Sequence, residues 1–280
     1  MTTLLIDADL VAFRCAASVE PHGEEEVALL RVDKLMRDLL INTDSESYLA
    51  FLTGGNNFRK QINAEYKANR KDKEPPRWLQ ACRGFLVSEW NAIISDGCEA
   101  DDLLGINQNE GTRLASLDKD LRMIPGNHFN WLHNEYFYVS ELDGLKHFYK
   151  QMLIGDRSDN IIGVTGLGQV KASKYIDPLT TEQEMLDTVW SLYNEDPQRF
   201  LMNAQCLWIM QNEGETWLNR KTDLILPDPL KLEVEIMSAS TTFLKPVISM
   251  EPIMNPQKTS GILANGISVE SMDPEVVDLT

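Results

Sequence analysis

Leu4-Leu5-Ile6-Asp7-Ala8-Asp9-Leu10-Val11-Ala12-Phe13 is a short apolar run that ends abruptly on carboxylates and then resumes as an apolar, helix-compatible stretch. An uninterrupted aliphatic run of this length reads as a buried strand, and carboxylates at its C-terminal end lie where an open α/β sheet has its crevice. Val27 to Leu40 follows with apolar residues at helical spacing, and Tyr48 to Leu52 is the next strand candidate. Strand, helix, strand is the opening of an α/β sheet with helical crossovers.

Outward from that start, Gly54-Gly55-Asn56-Asn57 signals a turn, and a polar, basic stretch runs to Lys73. Arg77 to Ala92 resumes a helical pattern, Ile93-Ile94 reads as a strand end, and Arg113 to Leu117 is a strand closing on Asp118-Lys119-Asp120. Phe129 to Val139 reads as strand or hairpin. Beyond Glu141 the pattern is mainly helical, over Leu142–Leu153, Gln169–Tyr175, Glu182–Tyr193 and Arg199–Met210. The predicted organisation is an α/β core over 1–140, with a distinct basic region at 55–83, a helical region over 141–226 and an irregular proline-containing extension over 227–280. The end from Glu270 is acidic and reads as a solvated tail.

The formal charge of −17 over 280 residues argues against a polyanionic partner for the chain as a whole. Locally the sign reverses. Arg59, Lys60, Lys67, Arg70, Lys71, Lys73, Arg77 and Arg83 outnumber Glu65, Asp72 and Glu74. Cys15, Cys82, Cys98 and Cys206 are dispersed, without zinc spacing, and read as reduced thiols. The first apolar run is too short for a signal peptide or membrane span. The expected setting is the cytoplasm, with no membrane contact.

Carboxylates recur after apolar strands or in tight groups: Asp7; Glu99, Asp101 and Asp102; Asp118 and Asp120; Asp156 and Asp159. Brought together at neighbouring strand ends they would repel one another unless a cation lay between them, and all-oxygen donors favour Mg²⁺ or Mn²⁺ over zinc. Taken singly, each group also fits a helix cap or a surface turn.

Four ordered motifs go further. Tyr66-Lys67-Ala68-Asn69-Arg70, Glu99-Ala100-Asp101-Asp102-Leu103-Leu104-Gly105, Leu117-Asp118-Lys119-Asp120-Leu121 and Gly155-Asp156-Arg157-Ser158-Asp159-Asn160-Ile161-Ile162-Gly163-Val164 resemble the 5′-to-3′ exonuclease/flap endonuclease family. That family includes free-standing bacteriophage exonucleases and the N-terminal nuclease domain of bacterial DNA polymerase I.

The resemblance implies a PIN-like parallel-sheet nuclease core, a helical arch and a C-terminal helix–hairpin–helix-like DNA-binding region. It implies metal-dependent hydrolysis near 5′ ends and flaps of duplex DNA and removal of RNA primers from RNA–DNA hybrid. A monomer working beside a replication polymerase or single-strand-binding protein, in the cytoplasm of an infected host if viral, is the implied setting. Asp7, Glu99, Asp101 and Asp118 would hold a catalytic ion and Asp120, Asp156 and Asp159 a second, with Asp102 an added acidic member. Lys67 and Arg70 would serve catalysis beside Asp118.

Nucleic acid would be held by Arg59, Lys60, Tyr66, Lys67, Arg70 and Lys71 in the arch. At the glycine hairpin it would meet Gly166, Gly168, Lys171 and Lys174, with K⁺ as an aid. One departure stands out: relatives carry a further Asp at the end of the second strand, where this chain has Thr53. That departure keeps open a clamp that binds without cutting. A PIN-like RNA endonuclease is the other alternative.

Overall fold

The computed structural model describes residues 2–71, 73–220, 222–240 and 250–256. Its sheet is built from β1 (Thr3–Asp7), β2 (Ser47–Leu52), β3 (Ile93–Ile94), β4 (Thr112–Ala115), β5 (Gly126–Asn130) and β6 (Glu135–Val139), in the order β3-β2-β1-β4-β5-β6. β1 to β5 run parallel to one another. The sheet is not wholly parallel, however. β6 returns antiparallel on β5, because Trp131–Asn134 make a tight turn with Asn134 at positive φ, and Asn tolerates the left-handed region at little cost.

The pleat sorts each strand's side chains between two cores. Leu4, Ile6, Tyr48, Ala50 and Leu52 face one way, onto α1 (Ala8–Ala17), α2 (Glu25–Asn42) and α4 (Leu79–Trp90). Leu5, Leu49, Phe51 and Leu114 face the other way. There they meet α5 (Ala100–Asn107) and a helical block of α6 (Glu141–Ile154), α7 (Gln169–Ile176), α8 (Glu182–Leu192) and α9 (Pro197–Leu207). This second core is continuous across residue 140, so the front and the helical rear share one packed interior. Trp90, Trp190, Trp208 and Trp217 are buried in these cores, and the four cysteines are free and buried.

Two expectations change here. Among the described residues, the stretch 55–83 carries a single helical turn, α3 (Arg59–Ile62), and a 3-10 turn at Ala68–Arg70 before α4 begins. Pro75 and Pro76 deny helix continuation at that point. The extension over 227–280 is not wholly irregular. α10 (Asp228–Ser240) starts there with Pro229 in its first turn, where a missing amide hydrogen costs nothing. β9 (Ile253–Met254) adds antiparallel to β2. The acidic tail from Glu270 lies outside the described residues. Among those described, no helix is long and apolar enough to cross a membrane.

Candidate active site

Asp7 closes β1 and caps α1: its carboxylate accepts from the Leu10 amide at 3.2 Å and from the Ser116 hydroxyl at 2.7 Å. Ser116, just past β4, accepts in turn from the Asp118 amide at 2.9 Å, so a single hydroxyl ties the two strand ends together. Asp118 accepts from the Asp120 amide at 2.8 Å, and Asp120 accepts from Gln151 of α6 at 2.7 Å. Asp156 and Asp159 lie on the turn between β7 (Gly155–Asp156) and β8 (Ile161–Ile162), where Asp156 accepts from the amide and hydroxyl of Ser158 at 2.6 and 2.8 Å. Glu99 stands at the N-terminus of α5, and Asp101 is in its first turn.

These side chains share one electrostatic basin. Burial, reinforced by the charges of Asp9 and Asp118, pushes Asp7 up to about 7. Burial together with Asp118 and Asp156 pushes Asp120 up to about 8. Asp101 is driven well above the usual carboxylate range by burial and then by Asp7, Asp118 and Glu99, and Asp118 rises as well through burial. Negative charge here is undercompensated, which is the condition a divalent cation relieves, and the donors are all oxygen, which suits Mg²⁺ or Mn²⁺. Among the described residues no three of these groups close on a common point tightly enough to hold an ion as they stand.

Cations border the basin on one side. Lys67 adopts φ 57°, ψ 19°, a left-handed conformation that costs a non-glycine residue energy and is held by the bond from its amide to the Asp159 carbonyl at 2.9 Å. Its ammonium rests on Glu99 and lies 3.5 Å from Asp159. Burial opposes the charge on Lys67, but Glu99 and Asp159 outweigh it and raise the pKa. Burial likewise penalises Glu99, yet Lys67 and Arg59 hold its carboxyl below the ordinary range. Arg70 reaches Asp159 at 2.6 Å and the Ser158 carbonyl at 3.0 Å while half exposed. Lys60, Lys71, Gly166, Gly168, Lys171 and Lys174 are all exposed, and Gly166 takes φ +80°, which turns the chain into the N-terminus of α7.

Three expected site residues have other duties. Asp102 is fully buried and takes Arg59 bidentately at 2.6 and 2.8 Å, with further bonds from the Met210 amide at 3.1 Å and the Glu99 amide at 2.9 Å. With its lone pairs engaged it is a structural anion rather than a metal ligand. Arg59, 2 % exposed, spends its remaining donors on the carbonyls of Cys206 and Trp208, so it cannot reach a phosphate. Tyr66 is buried with its hydroxyl bridging Glu99 at 2.9 Å and Asp159 at 2.7 Å. That pins the basic segment to the basin and leaves no ring face for a base.

Thr53 is likewise committed: its hydroxyl accepts from the Ala100 amide at 3.0 Å, its amide donates to Asp9 at 2.7 Å, and its carbonyl accepts from Arg83 at 2.5 Å. It bonds the first turn of α5, at the position where the resemblance implied a carboxylate. Asp9, Ser116 and Gln151 fall outside the residues singled out by sequence, and Arg83, counted there in the basic stretch, is committed to Asp9 and the Thr53 carbonyl. The Asp7-Ala8-Asp9 spacing was the available signal for Asp9, while the others require the fold.

No family model matches the chain. A 5′-3′ exonuclease of Mycoplasma genitalium is 30% identical over 243 residues, covering 72% of this chain and 80% of that protein. An exodeoxyribonuclease of Enterobacteria phage T3 is 28% identical over 208 residues, covering 64% and 68%. A solved structure of the bacteriophage T5 D15 flap endonuclease, in a complex with DNA and metal ions, aligns with a TM-score of 0.52 at 16% identity, over 74% of this chain and 89% of that one. The expected PIN-like core is thereby corrected to the flap endonuclease fold. Strand-end carboxylates fit either scaffold, so the motifs do not distinguish them; the likeness to the solved flap endonuclease structure does.

Proposed function

The chain belongs to the 5′-3′ exonuclease family, and from that membership we propose how its basin acts: as a divalent-metal-dependent nuclease hydrolysing phosphodiester bonds at 5′ ends and flaps of DNA. The observation that supports the reading is the hydrogen-bonded chain Asp7–Ser116–Asp118–Asp120, which draws the ends of β1 and β4 together, with Asp101 near enough to feel the charges of Asp7 and Asp118. Divalent ions, two of Mg²⁺ or Mn²⁺, would supply an activated water and stabilise the leaving oxygen. Asp7, Glu99, Asp101 and Asp118 would hold one and Asp120, Asp156 and Asp159 the other.

The chain's own groups do the rest. Ser116 and Gln151 orient Asp7 and Asp120. Lys67 leaves Glu99 for the scissile phosphate, where an ammonium stabilises charge developing on the phosphoryl oxygens. The exposed amides of Gly166 and Gly168, at the N-terminus of α7, hold the duplex backbone with Lys171 and Lys174. K⁺ would assist that hairpin, and RNA–DNA hybrid is a further substrate. No side chain at these surfaces is placed to read bases, so selection is by structure and ends.

A 5′-end-labelled flap duplex incubated with Mg²⁺ tests the reading. Release of label by the wild type and its loss in Asp118→Asn, with duplex binding retained, is expected. Binding without metal-dependent release by the wild type would replace the nuclease with a clamp.

A further inference from the structure

The carboxylates of the basin fall into two kinds. Among the described residues Asp7, Asp101, Asp118 and Asp120 form no ion pair, whereas Glu99 and Asp159 already hold cations. The Lys67 ammonium rests on Glu99 and lies 3.5 Å from Asp159, so one side chain spans a carboxylate of each ion position proposed above. Arg70 brings a second positive charge to Asp159 at 2.6 Å.

The two sides of this contact are fastened differently. Asp159 belongs to a turn braced from within by the bonds of Ser158 to Asp156, and from behind by α9, where Arg199 bonds the Gly163 carbonyl and Asn203 the Ile162 carbonyl at 2.9 Å. Lys67 and Arg70 belong to a surface segment. Of the described residues between Gln61 and Arg77, Tyr66 alone is buried. Polar bonds do the rest: Asn69 donates to the Arg157 carbonyl at 2.6 Å, and Asn160 to the Glu65 carbonyl at 2.9 Å. Exposed hydrogen bonds and ion pairs open more readily than a packed core, so the turn is the fixed partner and the 65–70 segment the one able to leave.

Charge decides what can take their place. Lys67 and Arg70 together bring two positive charges to Glu99 and Asp159, the charge of one divalent cation, and each carboxylate oxygen they engage is withheld from such an ion. Exchanging the pair for the ion leaves the net charge at these two carboxylates unchanged. It also frees an ammonium and a guanidinium, the side chains best suited to phosphate. Lys67 is then released from the Asp159 carbonyl that holds its left-handed backbone.

We propose that Lys67 and Arg70 are the basin's internal counter-ions, displaced from Glu99 and Asp159 when a divalent cation binds, so that cation binding arms the 65–70 segment for phosphate. Cation and nucleic acid then strengthen each other's binding by the same factor. The assignment rests on the nuclease reading above, but its test reads the cation by itself.

Mn²⁺ is titrated into wild type, Lys67→Gln, Arg70→Gln and Lys71→Gln, each shown to be folded by circular dichroism, and the free ion is followed by electron paramagnetic resonance without nucleic acid. Lys71 is the control, an exposed lysine that forms no ion pair among the described residues. Lys67→Gln and Arg70→Gln should bind Mn²⁺ about tenfold more tightly than wild type, and Lys71→Gln should match it. The first two should also gain more melting temperature from Mg²⁺ than wild type does. Affinities and gains equal to wild type's, or an equal tightening in Lys71→Gln, overturn the exchange and leave the nuclease standing. Tighter Mn²⁺ binding by the two variants, with a wild type that never cleaves a 5′ flap, overturns the nuclease and leaves the exchange standing. Failure of all four proteins to bind Mn²⁺ overturns both.

Discussion

Arg59 and Asp102 show how similar-looking charges divide their labour. Both belong to charged groups that read as ligand and phosphate contacts, yet they neutralise each other inside the protein, 43 residues apart in sequence. Removing one partner leaves a buried charge uncompensated, so Asp102→Ala should lower unfolding stability by about 3–5 kcal/mol in urea titration. Asp118→Ala should instead relieve repulsion, leaving the fold as stable or more so while abolishing cleavage. Lys67→Ala should cost roughly a hundredfold or more in turnover with duplex binding nearly retained, since its ammonium acts on charge that develops during reaction.

The raised carboxyls of Asp7 and Asp120 give a pH signature. A folded-state pKa above the unfolded one contributes stability at low pH that is lost as pH rises through the folded value. Metal-free protein should therefore lose melting temperature from the ordinary carboxylate range up to about pH 7 and 8, the values of Asp7 and Asp120. Adding Mg²⁺ should restore it on the alkaline side, and a flat profile in both conditions would contradict an undercompensated basin.

At the scale of elements, α4 and α5 carry the clearest handles. Gly84 sits exposed within α4 with open space where a side chain would go, so Gly84→Ala should raise stability by up to about 1 kcal/mol, read as a higher melting temperature. Thr53→Val removes the hydroxyl that caps α5 and should cost about 1 kcal/mol.

The elements themselves were largely legible, because a strand buried on both faces is an unbroken apolar run and a carboxylate at its end has few alternatives. β1 follows that rule in full and β2 follows it in its apolar run, while the helical rear was legible from its helical spacing. α10 escaped because Pro227 and Pro229 read as breaks, although the first lies before the helix and the second in its first turn, which tolerates it. The capping of α5 by Thr53 and the withdrawal of Tyr66 into the basin depend on contacts between distant segments, which no local pattern encodes. The basin's carboxylates could be named from spacing and resemblance; their partners could not.

Across the whole molecule, the sheet is a partition between two interiors and also the shelf on which the site sits. Asp7, Asp118 and the Thr53 loop all lie at the C-terminal ends of its strands, where neighbouring strands deliver side chains to one crevice. The continuous core between sheet and helical rear implies that the basin and the glycine hairpin at the start of α7 unfold together. Denaturation followed by tryptophan fluorescence and by far-ultraviolet circular dichroism should give coincident single transitions.

β9 extends that unity to the far end of the described chain. Ile253 and Met254 pair with the opening residues of β2, and Asn255 bonds the Glu46 and Ser45 carbonyls at 2.7 and 2.8 Å. A chain that folds as it is synthesised thus keeps the outer flank of β2 open until residue 254 has left the ribosome, and an open strand flank invites foreign pairing. Completing this short strand is then also a shield against self-association, and the edge of β2 is guarded by residues made long after it.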